Sequence, residues 1–290
     1  MTIGDKRKPW LLFALITTVF WGIWGAFIEI PEKSGFPATL GYVVWAITMI
    51  PCAVVALYII KWRLEYDKRS AFYGMLIGLT GAGGQLILFQ AMREGPAYIV
   101  FPVISLFPVV TIFLSSVVLK ETTSRKSWIG IVLALVAILL LSYQPPGEAH
   151  STGYDWLVLA IVVFLMWGVQ AFIMKFSNEK MKAESIFFYM MLSGVLLIPV
   201  AFAMTDFSVP INLGLKGPYL AFLVHILNSI GALTLVYALR YGKAIIVVPV
   251  TGLSPVITII FSLMLYGVFP HTVIIIGLVL AVIAIFLLTE

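Results

Sequence analysis

Charged residues and cysteines are scarce in this sequence. Only 11% of the 290 residues are charged, whereas 62% are hydrophobic and the mean hydropathy is +1.09. A water-soluble domain cannot bury so large an apolar fraction, because part of any globule faces water. The single cysteine, Cys52, excludes an intramolecular disulfide. The three histidines, His150, His225 and His271, lie far apart, so we expect no metal site, no cofactor and no enzymatic centre.

Long apolar runs dominate the chain instead. A helix needs roughly 20 apolar residues to cross a bilayer. The sequence supplies ten such runs, at 10–29, 39–60, 71–92, 97–119, 127–143, 155–176, 185–204, 217–239, 244–266 and 272–289. The sequence therefore predicts an all-α integral membrane protein with ten transmembrane helices joined by short loops.

The basic residues lie mainly in alternate loops. With a cytoplasmic N-terminus, fifteen of the 18 lysines and arginines lie on the inner side, and the outer side holds Lys33, Arg93 and Lys216. The positive-inside rule then predicts a multi-pass protein of the plasma (inner) membrane with both termini in the cytoplasm. The net charge of +5 is explained by this orientation, so we expect no nucleic-acid partner.

The two halves of the chain resemble each other. With a shift of 147 residues, fourteen of the twenty-five positions in 91–115 match 238–262, and the matches include two prolines, an arginine and a glycine. Each repeat has five spans, an odd number, so the second repeat is inverted relative to the first. We expect repeats 1–145 and 146–290 within one membrane domain. Such symmetry is typical of alternating-access transport.

Three motifs add a family resemblance. They are Phe20-Trp21-Gly22, the fourth span with Gly95-Pro96-Ala97, Pro102 and Pro108 ending in Lys120-Glu121, and the copy of that span as the ninth. The sequence resembles the drug/metabolite transporter superfamily, specifically the ten-helix EamA-type exporters. The second repeat ends in Gly267-Val268, where the family commonly has Gly-Glu. The resemblance implies transport of amino acids, nucleosides, sugars or their conjugates, or drugs.

Paired prolines mark the fourth and ninth spans. Proline removes a backbone donor and frees a carbonyl one turn earlier, and such carbonyls need partners or a wet cavity in a membrane. We interpret Pro102, Pro108, Pro249 and Pro255 as hinges that bend cavity-lining helices. The alternative is a static kink.

Polar side chains and deep tryptophans are few within the spans. Polar groups at membrane depth usually face the bundle interior. The predicted substrate-binding residues line one midplane cavity and are Trp24, Gln85, Ser105, Gln170, His225, Asn228, Thr251 and Ser254. The alternatives are hydrogen bonds between helices for the amides and the histidine, bonds to their own helix for the hydroxyls, and packing for the tryptophan.

Ionisable residues within the spans are fewer still. Glu29 and Lys175 occupy equivalent positions in the two repeats, near opposite ends of their spans, so we predict that they gate the two mouths. The alternative is that both reach water along the helix surface. An unperturbed histidine changes charge near neutral pH, and His225 is the one deep residue of this kind, which leaves proton coupling open.

These features favour a transporter of small polar metabolites, neutral or zwitterionic and amino-acid-like, working by alternating access as an exporter. Organic cation or drug efflux, and sugar or nucleoside transport, remain alternatives on the same fold. A cation exporter would want a deep carboxylate, and none lies deeper than Glu29. No selectivity motif indicates a channel. The expected partners are the substrate and the lipid bilayer, with protons open, and the protein is expected to be a monomer or weak homodimer.

Overall fold

The fold is built entirely of helices and loops in the residues that the computed structural model describes, 9–143, 154–266 and 269–289. The basic residues Lys6, Arg7 and Lys8, the histidine His150 and the pair Gly267-Val268 lie outside this description. In chain order the helices are α1 (Pro9–Phe27), α2 (Glu29–Lys33), α3 (Ala38–Ile59), α4 (Lys68–Glu94), α5 (Ala97–Ser105), α6 (Phe107–Val117), α7 (Arg125–Leu141), α8 (Asp155–Asn178), α9 (Ala183–Leu196), α10 (Ile198–Ala203), α11 (Leu220–Tyr241), α12 (Ala244–Thr251), α13 (Ser254–Tyr266) and α14 (Thr272–Thr289).

Ten apolar spans account for these helices, as the sequence predicted. Within the described ranges, nine helical stretches are long and apolar enough to cross a membrane. The tenth span is α7, which has 17 residues. Its rise of about 26 Å, at 1.5 Å per residue, is close to the thickness of a bilayer's hydrocarbon core.

Prolines break four of the spans. Pro108 and Pro255 stand in the first turns of α6 and α13, and the fourth and ninth spans are interrupted just before them. The same effect divides the seventh span at Pro199, although the sequence prediction had drawn 185–204 as one continuous helix. It also separates α1 from the short α2, which contains Pro31 and extends beyond the predicted first span, 10–29. Proline cannot donate to the carbonyl four residues earlier, so the preceding helix ends there. Pro51, by contrast, is accommodated inside α3.

The two repeats are inverted relative to each other, as the packing of α7 against α14 demonstrates. A methyl group added to Gly130, near the start of α7, would meet Leu287 and Leu288 near the end of α14. A methyl group on Gly277, near the start of α14, would meet Leu140 and Leu141 near the end of α7. The helices are thus antiparallel, and the two contacts are exchanged by a pseudo-two-fold axis that relates residue n to about n + 147.

The repeats interlock through their first and third spans. Helix α1 packs along α11 and helix α8 along α4, so each repeat supplies one helix to each pair. Small residues permit the close approach, since methyl groups on Gly81 and Gly84 of α4 would collide with Gln170 and Trp167 of α8. The centre of the molecule is therefore shared equally by both repeats.

Candidate functional site

The two broken spans place interrupted backbone near mid-depth. Helix α5 gives way to α6 at Leu106, and helix α12 gives way to α13 at Gly252 and Leu253. Non-helical backbone at membrane depth is tolerated only inside the protein or beside a water-filled cavity. The predicted hinge prolines flank these breaks, but whether the breaks flex remains a prediction.

Two hydrogen bonds, related by the pseudo-two-fold axis, hold each broken span to the first helix of the opposite repeat. Thr258 Oγ1 donates to the Gly22 carbonyl at 2.9 Å, and Thr111 Oγ1 donates to the Gly168 carbonyl at 2.8 Å. A methyl group on Gly22 would lie 2.3 Å from Ile257, which makes that approach possible only for glycine. The α6 and α13 halves are thereby fixed to α8 and α1.

A cluster of tryptophans surrounds one face of α11. The indole N–H of Trp24 donates to His225 Nδ1 at 3.2 Å, and that of Trp45 donates to Asn228 Oδ1 at 2.9 Å. The indole N–H of Trp21 donates to the Asn228 carbonyl at 3.2 Å. Because all three donors are occupied, these half-buried tryptophans can offer a ligand their ring faces but no hydrogen bond.

His225 lies between α1 and α3 and is 6% exposed. Since Nδ1 accepts from Trp24, the hydrogen of the neutral imidazole is assigned to Nε2. Nε2 has no hydrogen-bond partner among the described residues, and a methyl group on Gly41 of α3 would lie 3.4 Å from it. The ring therefore joins helices through one nitrogen and holds an unused donor at the other.

The predicted amides on α4 and α8 are near one another. Gln170 fills a notch in α4, where a methyl group on Gly81 would lie 2.1 Å from its Nε2. Gln85 lies one turn further along the same face of α4 and is half-buried. Neither side chain makes a hydrogen bond within the described part of the chain, so both amides are available to a ligand.

The hydroxyls on the broken spans are used locally. Ser105 Oγ donates to the Pro102 carbonyl at 2.9 Å, and Thr251 Oγ1 lies 3.1 Å from the carbonyls of Val247 and Val248. Thr251 is 2% exposed, whereas Ser254, at the start of α13, is half-buried. The geometry therefore matches the bonding to their own helices that the sequence left open for Ser105 and Thr251, and their role as substrate contacts stays untested.

One end of the molecule, here called the basic end, is formed by loops 60–67, 118–124, 179–182 and 242–243. Glu121 accepts a hydrogen bond from Ile245 N, in the first turn of α12, at 3.1 Å and lies 3.9 Å from Lys175 Nζ. Lys175 also donates to the Leu239 carbonyl at 3.1 Å. The side chains of Lys175 and Glu121 are only 14% and 8% exposed, so this ion pair is sealed into the basic end.

The equivalent position at the opposite end is open. Glu29, the repeat partner of Lys175, is 63% exposed and pairs with Lys33 on its own helix. The predicted gating pair is therefore unequally placed, one member locked between helices and the other in contact with solvent.

The half-helices α5 and α12 repeat this asymmetry. From Val247 to Thr251, helix α12 is buried, and it packs against α6, α7 and α8. Its equivalent α5 makes no extended contact with α13, α14 or α1 among the described residues, and Phe101 is 39% exposed where its equivalent Val248 is 1% exposed. The bundle is closed at the basic end and spread at the other.

Two residues of this arrangement were not singled out from the sequence. Trp45 joins the cluster from α3, although nothing in its apolar surroundings signals a polar contact. Glu121 was quoted only as the end of a motif, and because it precedes α7 in the chain, nothing in the sequence signals its bond to the first turn of α12.

The fold and centre define an inverted-repeat membrane protein of the transporter class. The chain matches the EamA-like transporter family twice, over residues 8–143 and 155–290. It belongs to that family, and the match confirms the resemblance read from the Trp-Gly and proline motifs.

Known proteins resemble the chain to different extents. An uncharacterised protein of Methanocaldococcus jannaschii is 33% identical over 135 residues, 46% of this chain and 95% of that protein. Protein LicB of Haemophilus influenzae is 26% identical over 69% of this chain and 70% of its own length. An uncharacterised transporter of Archaeoglobus fulgidus is 22% identical over 62% of this chain and 61% of its own length. A solved crystal structure at 14% identity superposes with a TM-score of 0.77 over 95% of both chains, which shows the shared fold.

Proposed function

We propose that this family member exports a small polar metabolite, neutral or zwitterionic and amino-acid-like, by alternating access across the plasma membrane, with its termini in the cytoplasm. The observation that carries the proposal is the unequal state of two equivalent halves. Helix α12 is sealed at the basic end, while α5 stands apart at the other. A scaffold with pseudo-two-fold symmetry that adopts one asymmetric state can also adopt a second state with similar packing. In the second state the end that was closed is open, and the end that was open is closed.

The charges near the centre support the proposed substrate class. No lysine, arginine, aspartate or glutamate lies in the middle of any span within the described ranges. The uncharged groups offered there are the free amides of Gln85 and Gln170 and the tryptophan faces around α11. Amides both donate and accept hydrogen bonds, which suits hydroxyl, amide or balanced zwitterionic groups better than a net charge.

The Trp24–His225 bond offers a route for proton coupling. Protonation of His225 at Nδ1 converts the only acceptor of the Trp24 indole into a second donor. The bond that joins α1 to α11 would then break, and Trp24 would turn toward another acceptor. No acidic or basic side chain on α1, α3 or α11 contacts the ring among the described residues. A change in the charge of His225 would therefore act on its two neighbours, the Trp24 indole and the backbone of α3 at Gly41.

The test is transport by the purified protein in liposomes, using labelled neutral amino acids as substrates and acidic and basic amino acids as comparisons. Gln85→Ala should raise the half-saturating concentration about tenfold, which corresponds to the loss of about 1.4 kcal/mol of binding. Gln90→Ala is the matched control, because Gln90 lies on the same helix and is also half-buried, but its amide already bonds Glu94. Equal effects of the two variants, or no uptake of any neutral solute, would contradict the substrate assignment.

Organic cation efflux is the second candidate, and the tryptophan cluster favours it. The face of an aromatic ring attracts a cation by about 0.5–1 kcal/mol at exposed sites and by about 2 kcal/mol or more at desolvated ones. Tetramethylammonium should compete with the neutral substrate if this candidate is right, and Trp24→Leu should abolish that competition. Without competition, the tryptophans serve as apolar walls.

A further inference from the structure

A polar pocket lies at the basic end, away from the centre. It has a volume of about 390 Å³ and is formed between the start of α4 and the end of α8. Its polar lining is Asp67, Arg69, Ser70, Tyr73, Ser177 and Lys180. None of these residues belongs to the proposed central site, which lies between α1, α4, α8, α11 and the broken spans.

The pocket carries a net positive charge. Arg69 and Lys180 are exposed and have no acidic partner in the described part of the chain, although the Lys180 ammonium lies 4.0 Å from the centre of the Phe176 ring. The Asp67 carboxylate is already engaged, since it accepts the backbone N–H groups of Arg69 and Ser70 at 3.1 Å each. The pocket therefore contains two cationic side chains without an acidic partner, and one carboxylate that already accepts two hydrogen bonds.

A buried donor without a partner lies in the same lining. Ser177 is 1% exposed, and its Oγ makes no hydrogen bond to any described residue. A buried hydroxyl normally finds a partner, and an occupant of the pocket that carries an acceptor would supply one to Ser177. Because two cationic side chains line the same pocket, we expect this acceptor to be an anionic oxygen.

An aromatic stripe continues from the pocket along α8. The Tyr73 and Phe176 rings meet edge to face at 5.5 Å, and the Phe172 and Phe176 rings stack at 6.4 Å. The stripe descends into the span, so the polar pocket sits at the level of the bilayer surface with an apolar track below it. This geometry suits a headgroup with an acyl chain attached better than a free phosphate.

We propose that this pocket binds the phosphate headgroup of an anionic phospholipid in the leaflet at the basic end, with an acyl chain lying along Phe172 and Phe176. Arg69 and Lys180 contact the phosphate oxygens and Ser177 donates to one of them. Basic pockets between helices on the cytoplasmic side of membrane proteins bind such headgroups. The lipid tethers α4 to α8 at the end that is closed.

Native mass spectrometry of the full chain in neutral detergent tests the proposal with short-chain phosphatidylglycerol, phosphatidylcholine of equal chain length, and glycerol phosphate. Phosphatidylglycerol should bind about tenfold more tightly than the other two. Arg69→Gln and Lys180→Gln should each weaken it about fivefold, and Ser177→Ala should weaken it about threefold. Arg125→Gln, at an exposed position of the same end, is the control and should change nothing.

Equal binding of phosphatidylglycerol and phosphatidylcholine would overturn the proposal, as would an equal loss in the Arg125 control. Tight binding of glycerol phosphate would show a free-phosphate site instead. The thermal midpoint of each lipid-free variant verifies folding. The measurement involves no transport, so its outcome is separate from that of the proposed function.

Discussion

The ion pair at the basic end allows a quantitative test of gating. Glu121 and Lys175 lie 3.9 Å apart. At that distance two unit charges attract by about 4 kcal/mol at an effective dielectric constant of ~20. Desolvation offsets much of this attraction, and we expect a net contribution of about 1.5 kcal/mol. Because the pair bridges elements that must separate when this end opens, Glu121→Gln should favour opening about tenfold.

The choice of glutamine isolates the charge. The amide oxygen can still accept from Ile245 N, so the start of α12 keeps its hydrogen bond. Lys175→Met should have a similar effect, and the double variant should add little to either single one, because all three lack the same interaction.

Two equivalent positions report the state of each end. In a Cys52→Ala background, a single cysteine replaces either Val248, which is 1% exposed, or Phe101, which is 39% exposed. With a water-soluble thiol reagent, Glu121→Gln should raise the labelling rate at position 248 and lower it at 101. Unchanged rates at both positions would refute the gating role of the pair. A rise at 248 without a fall at 101 would mean local fraying of α12.

Two further predictions concern stability. Thr111→Val and Thr258→Val should each lower the free energy of unfolding by about 1 kcal/mol, since each removes one two-fold-related bond to Gly168 or Gly22; thermal unfolding of both singles and the double measures this, and a strongly non-additive double would contradict independent sites. Hydrogen bonds from Ser70 and from the backbone lower the pKa of Asp67. A lowered folded-state pKa contributes stability above the unfolded pKa, about 3.9, and loses it as the pH falls through the folded value. Asp67→Asn should therefore be less stable than the original chain at pH 7 and equal to it in strong acid; a constant difference across this range would contradict the assignment.

Much of the fold follows from the sequence, because hydrophobic length and inverted duplication are both visible in one chain. The breaks before Pro108 and Pro255 were expected from the missing donor of proline. The breaks before Pro31 and Pro199 follow from the same chemistry, yet Pro51 stays inside α3. Whether a membrane helix tolerates proline depends on neighbouring helices that can satisfy the freed carbonyl, and one sequence does not contain that information.

The site was less predictable for a related reason. Helical periodicity indicates which face of a span is polar, but not which helix that face meets. Asn228 was identified, whereas its partner Trp45 was not, because an indole in an apolar run is indistinguishable from packing. Lys175 was identified by its repeat position, but its ion pair was not. The partner in that ion pair is Glu121, a loop residue whose equivalent in the second repeat is Val268.

Alternating access requires that the two ends of the molecule open in turn. Spin labels at Val118 and Tyr241 measure the basic end, and labels at their equivalents Leu265 and Glu94 measure the opposite end; all four side chains are exposed. The measurement is the pair of distance distributions by electron spin resonance for the reconstituted protein, with and without Glu121→Gln. We predict that the variant lengthens the Val118–Tyr241 distance and shortens the Glu94–Leu265 distance in the same fraction of molecules. Two distances that stay fixed, or that change in unrelated fractions, would contradict alternating access.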